Sequence, residues 1–198
     1  YTFAEPGYPS TQPTSLFRIA SMSKTLTSTA VHKQLQRNPG LTIDRSVLSS
    51  FWPISPLDPR TAAVTLRNCL NHAGGWDTNV LDFDPVFYDQ QIASYWGTPL
   101  PVSTNEIYRY MTLTKMLQFA PGTGYAYSNY GFSLLGRVLE SINPGFNYEQ
   151  IVKRDVFTPL GVTRARIGGS TLAEATPRGV RYHPSQPGIA RSVVTVTG

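Results

Sequence analysis

The apolar residues recur at helical spacing in several segments, and turns rich in proline and glycine separate these segments. The first predicted helix runs from about Ser21 to Arg37 and stops at Asn38-Pro39-Gly40, a strong helix-ending sequence. A second, short helix is expected over 65–71. The expected buried positions of these two helices are Met22, Leu26, Ala30, Val31, Leu66, Cys69 and Leu70.

Capping signals predict where two later helices begin. Ser103 with Glu106 starts a helix that should end near Phe119, and Asn147 with Gln150 starts one that should reach about Phe157. Between them, the residues after 125–130 predict a helix with the apolar positions Phe132, Leu135, Val138 and Leu139. Candidate strands lie only at 179–182 and 192–197.

The segment from Trp76 to Val102 lacks a helical period and is dominated by aromatic residues, aspartates and prolines. It is expected to be a long loop or a lid. Its aromatic side chains suit two interpretations, which the sequence leaves open: they line a site for an apolar acyl or aryl group, or they pack the loop onto the body. They are Trp76, Phe83, Phe87, Tyr88, Tyr95 and Trp96.

The composition suits one globular domain with a real core, since the 198 residues are 40% hydrophobic and 15% charged. The formal net charge of +5 comes from scattered basic residues, which indicates a solvated basic surface and no nucleic-acid partner. No apolar run reaches membrane-spanning length, and no secretory signal stands at the front. The single cysteine, Cys69, excludes a disulfide within this sequence and reads as a buried, inert thiol.

Candidate chemistry begins with Ser21 and Lys24, which share one face at the start of the first helix. A serine hydroxyl becomes a nucleophile when a base takes its proton. Unpaired N–H groups at a helix start also favour negative charge that develops there. The pair predicts an acyl-transfer site, although Ser-x-x-Lys also occurs by chance at ordinary capped helix starts.

A second signal is Tyr127 with Asn129, two residues apart in an extended stretch, so that both side chains can reach one site. A phenol beside an ammonium group loses its proton more easily and can then act as a base. An amide can donate to a substrate carbonyl and also hold the lysine. By itself, such a Tyr-x-Asn pair is expected by chance in a chain with eleven tyrosines.

Together these stretches resemble the serine β-lactamase, penicillin-binding protein and esterase superfamily, and its class C branch with the related D-aminopeptidases and esterases most of all. The resemblance covers the chain from about residue 14 to about residue 170. It rests on four segments in the family's order: LFRIASMSKT at 16–25, LRNCLNHAGG at 66–75, FAPGTGYAYSNYG at 119–131 and FTPLG at 157–161.

The resemblance implies a role for each matching position. Ser21 matches the acylated serine, Lys24 its lysine partner, Tyr127 the tyrosine base and Asn129 the substrate-binding amide. His72 falls in a segment that is mainly architectural in the family and is treated as structural. The implied substrates are small esters, peptides or β-lactams, with no cofactor and no metal. The implied compartment is periplasmic or extracellular.

The implied fold is α/β (α+β), an antiparallel sheet flanked by helices, with a helical subdomain. Residues 1–198 are expected to form a single, incomplete domain that holds mainly the helical part. We expect the family's first strands and its third motif to be missing from this sequence. Val196-Thr197-Gly198 resembles that motif only superficially, because it lacks the cation and comes too early in the chain. The chain starts at Tyr1 without Met, so we expect a truncated, processed or partly observed protein.

The incomplete sheet leaves an alternative open. The chain is then a non-catalytic binding or assembly module, or an inactive fragment, that keeps the fold without the chemistry. Neither the substrate class nor the oligomeric state can be predicted from the sequence.

Overall fold

The computed structural model describes residues 10–48, 54–168 and 179, and this part of the chain is helical. Besides the helices it holds two isolated β-bridges, a parallel one between Leu16 and Gly179 and an antiparallel one between Ser46 and Thr65. The expected antiparallel sheet is not found among these residues. The candidate strands at 179–182 and 192–197 lie outside them, Gly179 excepted. The helices are α1 (Ser23–Arg37), α2 (Leu66–Leu70), α3 (Thr78–Leu81), α4 (Asp89–Trp96), α5 (Thr104–Thr114), α6 (Asn129–Ile142) and α7 (Tyr148–Val152).

Local capping explains most helix starts. The predicted capping boxes form at Ser103 and at Asn147, where each side chain accepts a backbone N–H and the residue three positions later caps in return. Thr65 and Asn68 make a third reciprocal box at the start of α2. These starts are therefore fixed by residues close in sequence.

Helix α6 is the centre of the core, and it packs against α1, α2 and α7. Its predicted apolar positions are all buried, with exposed fractions of 0–4%. Because nearly every position from 130 to 139 is buried, the other helices surround α6. The largest fully buried partners from other segments include Val31, Val47, Val64, Leu66 and Ile151.

Two helix predictions were wrong in detail. Ser21 and Met22 lie in a 3₁₀ turn (Ala20–Met22) before α1, so the helical period does not reach Met22, and its side chain is 71% exposed. Helix α5 ends at Thr114 rather than near Phe119. It ends early because the Leu117 N–H donates to the buried Asp58 carboxylate at 2.9 Å, which draws the chain away from the helix axis.

The predicted helix from Asn147 to about Phe157 is divided in two. Helix α7 occupies its first part, and a π-helical turn, Lys153–Phe157, occupies the rest.

The segment 76–102 is more ordered than a loop. It contains α3, a 3₁₀ turn (Pro85–Phe87) and α4. Trp76 and Phe83 are buried in the core, which favours the packing interpretation for these two rings. The aromatic rings that remain exposed are Phe87, Tyr88 and Tyr95.

Cys69 is buried, and burial raises the pKa of its thiol to about 12, in keeping with an inert core thiol. Within the described ranges, no helix is both long and apolar enough to cross a membrane.

Candidate active site

Ser21 stands at the entrance to α1, in the 3₁₀ turn that precedes the helix. The residue before it, Ala20, has a φ of +44°, a left-handed conformation that non-glycine residues seldom adopt. Such strain persists only where the surrounding structure imposes it, and it occurs often at functional positions. The turn leaves the Ser21 residue exposed at the helix start.

Lys24 lies in the first turn of α1 and is buried, with 7% of its surface exposed. Its ammonium group donates to Ser21 Oγ at 3.2 Å and to Asn129 Oδ1 at 2.6 Å. It also lies 4.8 Å from the Tyr127 ring centre and 5.8 Å from that of Phe132. Two oxygen acceptors and two aromatic faces therefore replace water around the buried charge.

Tyr127 is the second residue that binds the Ser21 hydroxyl. Its hydroxyl donates to Ser21 Oγ at 2.6 Å, a short contact for two hydroxyl groups. Because either hydroxyl can rotate, the serine can also donate its proton to the tyrosine oxygen. Tyr127 remains 42% exposed, so this side of the site is open to a substrate.

His72 holds the segment that carries Tyr127. Its carbonyl accepts the Ala126 N–H at 2.9 Å, and its ring Nδ1 accepts the Ser128 N–H at 3.0 Å. The imidazole also lies against the Tyr127 ring, with 4.6 Å between the ring centres. Burial and the nearby Lys24 charge lower the pKa of His72, which favours the unprotonated Nδ1 that this bond requires. The sequence suggested a structural role for His72 without indicating what it supports.

Asn129 is the first residue of α6, and Ser128 caps that helix by accepting the Gly131 N–H at 3.0 Å. The Asn129 side chain bridges two charged groups. Its Oδ1 accepts from Lys24, and its Nδ2 donates to Asp84 Oδ2 at 2.7 Å.

Asp84 is the polar residue that sequence reasoning missed. Its pattern reads as an ordinary cap, since Oδ1 accepts the Val86 N–H at 3.2 Å. Nothing local signals a partner 45 positions away.

The structure thus brings Ser21, Lys24, Tyr127 and Asn129 into one hydrogen-bonded cluster. The segment 196–198, which only echoes the family's third motif, lies outside the described residues. Within those residues, no three His, Cys, Asp or Glu side chains gather closely enough to hold a metal ion. Chemically, the cluster presents an exposed hydroxyl between a phenol and an ammonium group, which suits nucleophilic attack with proton transfer.

The chain is similar to known proteins in both sequence and fold. The sequence profile of the family described as Beta-lactamase matches residues 4–195. A lovastatin esterase from Penicillium rubens is 33% identical over 141 residues, which are 71% of this chain and 33% of the esterase. A probable fimbrial assembly protein, FimD of serogroup H1, from Dichelobacter nodosus is 28% identical over 170 residues, 86% of this chain and 40% of that protein.

Among solved structures, a D-amino acid amidase from Ochrobactrum anthropi in complex with D-phenylalanine superposes with a TM-score of 0.62 at 25% identity. The match covers 86% of this chain and 43% of the amidase. The chain therefore spans less than half of the length of each of these similar proteins.

Proposed function

This chain belongs to the beta-lactamase family, and we propose that it carries the nucleophile of a serine hydrolase that forms an acyl-enzyme on Ser21. The observation that carries the proposal is the convergence on Ser21 Oγ of the Tyr127 hydroxyl at 2.6 Å and the Lys24 ammonium at 3.2 Å. Tyr127 can act as the base that takes the Ser21 proton, and the positive charge of Lys24 stabilises the anion that forms.

In the reacting form, Tyr127 has given up its hydroxyl proton to solvent, and the Lys24 ammonium stabilises the resulting phenolate. Ser21 Oγ then attacks the substrate carbonyl while the serine proton passes to the phenolate oxygen. The Ser21–acyl bond forms as the carbonyl–oxygen or carbonyl–nitrogen bond breaks, and the proton then moves from Tyr127 to the leaving group. Water hydrolyses the acyl-enzyme by the reverse sequence and releases the acid. Asn129 orients the substrate carbonyl.

The proposed substrates are small esters, D-amino-acid amides or peptides, and β-lactams. The lovastatin esterase and the D-amino acid amidase support the first two classes, and the family itself supports the third. The exposed rings on the 76–102 segment, Phe87, Tyr88 and Tyr95, are available to contact an apolar acyl group.

The proposal is tested on the full-length protein with three probes: p-nitrophenyl butyrate, a D-phenylalanine amide and a penicillin. We expect the intact mass to rise by the acyl group of at least one probe, and peptide mapping to place the adduct on Ser21. Ser21→Ala should abolish both the adduct and the turnover, whereas Ser23→Ala, the same change two residues later, should retain both. Unchanged turnover in Ser21→Ala, or no adduct with any probe, would contradict the proposal.

A second candidate, a non-catalytic assembly module, is supported by the similarity to the fimbrial assembly protein. It makes the opposite prediction for the same experiment: no probe acylates the protein, and Ser21→Ala changes no measurable property except the local hydrogen bonds. The tight Ser21–Tyr127–Lys24 cluster favours the hydrolase, because a scaffold does not require a buried ammonium beside an exposed serine.

A further inference from the structure

The side chain of Asn129 has two chemically different ends, and the structure uses both. The oxygen faces Lys24 and the nitrogen faces Asp84. An asparagine amide can be turned by half a rotation with little change in shape, so its orientation must be set by its neighbours.

Each neighbour admits only one end of the amide. An ionised carboxylate accepts hydrogen bonds and has none to give, whereas an ammonium group donates and cannot accept. Asp84 therefore requires the NH₂ group and Lys24 requires the oxygen. The reversed amide would place donor against donor at Lys24 and acceptor against acceptor at Asp84, so both bonds would be lost together.

Asp84 is itself held firmly enough to impose this choice. The residues on either side of it, Phe83 and Pro85, are buried. Its other carboxylate oxygen accepts the Val86 N–H at the start of the 3₁₀ turn Pro85–Phe87. That turn also packs against α6, the helix that begins with Asn129.

We propose that Asp84 is a positioning residue of the acylation site: it fixes the Asn129 amide so that Oδ1 holds Lys24 beside Ser21. The inference rests on the proposed function. One amide hydrogen points to Asp84, so the second is left to donate to a substrate carbonyl. The segment 76–102, expected from the sequence to be a loop or lid, thus supplies the Asp84 carboxylate that binds the Asn129 amide of the site.

The test uses the full-length protein and three variants. Asp84→Ser keeps a side chain that can cap the 3₁₀ turn but is too short to reach Asn129. Asp84→Asn keeps the shape and one acceptor oxygen, yet it can also present NH₂ to Asn129, so it should restore the orientation only in part. The matched control is Asp82→Asn, which removes the same charge two residues away at an exposed position whose φ of +47° asparagine tolerates well.

The first readout is independent of activity. With asparagine labelled by ¹⁵N, the side-chain NH₂ signal of Asn129 is assigned by its loss in Asn129→Asp. We expect the hydrogen bonded to Asp84 to resonate downfield and to exchange slowly in the native protein and in Asp82→Asn. In Asp84→Ser it should move upfield and exchange faster, with Asp84→Asn in between.

The second readout is turnover of the best probe. We expect kcat to fall about 10-fold in Asp84→Ser, with a smaller change in KM, because misplacing a reacting group can cost up to about 10²-fold in rate. Asp84→Asn should recover part of this loss. An Asn129 signal that does not change in Asp84→Ser overturns the inference, and so does a kcat equal to that of Asp82→Asn.

The two proposals fail in different ways. If no probe acylates Ser21 in the native protein, the hydrolase proposal fails, and the Asn129 signal still decides whether Asp84 orients that amide. If acylation occurs and the signal does not respond to Asp84, the hydrolase proposal stands and the inference about Asp84 fails.

Discussion

The two ends of helix α1 both take part in buried charge networks that join distant segments, yet the networks are built differently. At the C-terminal end, Gln34 and Arg37 bind Asp155, which is 1% exposed. At the N-terminal end, Lys24 binds Ser21 and Asn129. Helix α1 thus contacts a buried anion from another segment at one end and carries a buried cation of its own at the other.

The network around Asp155 is closed. Its carboxylate accepts from Gln34 Nε2 at 2.7 Å, from Arg37, and from Arg154 at 2.6 and 2.8 Å. Burial alone would raise the pKa of Asp155, but the hydrogen bonds from Arg154, Arg37 and Gln34 outweigh it and lower the pKa to about 2. Every oxygen has a donor and the charge has counter-charges, which is how a structural network is stabilised.

The network around Lys24 is open by comparison. Within the described residues no carboxylate lies within ion-pair distance of its ammonium group, and Asp84 is reached only through the neutral Asn129 amide. On its other side the cluster ends at Ser21 and Tyr127, which are exposed. A buried charge without a counter-ion costs stability, and proteins retain such sites mainly where function requires them.

The largest effect on the N-terminal network is expected from Lys24→Met, which keeps an unbranched side chain and removes the charge. We expect kcat/KM to fall by about 10³-fold to 10⁴-fold, as when a member of a catalytic triad is removed. The thermal midpoint should stay the same or rise, because the cost of burying an ammonium group disappears.

The matched control is Lys33→Met on the same helix, which should leave kcat/KM at the native value. A large drop in the thermal midpoint for Lys24→Met would mean that this end of α1 is structural, like the other.

Asp155→Asn tests the opposite end. Near neutral pH we expect the free energy of unfolding to fall by about 2–4 kcal/mol, because a buried ionic network loses its anion while Arg37 and Arg154 can still reach solvent. The kcat per folded molecule should not change. The readout is denaturant unfolding together with turnover, with the exposed Asp44→Asn as the control that has little effect.

The difference in unfolding free energy between the native protein and Asp155→Asn should shrink as the pH is lowered. The Asp155 pKa is lowered from 3.8 to about 2 on folding, so its contribution is complete above about pH 4 and is lost as the pH falls towards 2. The native protein and Asp155→Asn should therefore converge in stability over this interval. A difference that persists at pH 2 would contradict the ionic explanation.

His72→Asn should have the smallest effect on stability and rate. It tests whether His72 gives the N-terminal network its pH dependence. Asparagine tolerates the φ of +55° at this position, and its Oδ1 can accept the Ser128 N–H in place of Nδ1, but it cannot be protonated. Because the folded protein lowers the pKa of His72 below its ordinary 6.5, the unfolded chain binds more protons below that pH, and native stability should fall there.

We expect the native protein to lose stability and rate as the pH is lowered from about 7 to about 5, and His72→Asn to show a flatter profile. The exposed His32→Asn on α1 should keep the native profile. Identical slopes in the native protein and His72→Asn would assign the pH dependence to another group.

Much of this fold could be predicted because its signals are local. The capping boxes at Ser103 and Asn147 and the apolar period of α6 involve residues within a few positions of each other, and the structure has all three. The end of α5 could not be predicted in this way, because it depends on a bond from Leu117 to Asp58, 59 positions earlier in the chain.

The same division runs through the candidate site. The sequence by itself placed Ser21 and Lys24 on one side of a helix start, and marked Tyr127 and Asn129 as able to reach a common point, because short-range spacing governs which side chains lie together. Only the tertiary structure decided that the two pairs meet, that His72 lies beneath Tyr127 and that Asp84 faces Asn129. Those contacts join segments 45 to 106 positions apart, and packing around α6 rather than any local pattern sets the distance between them.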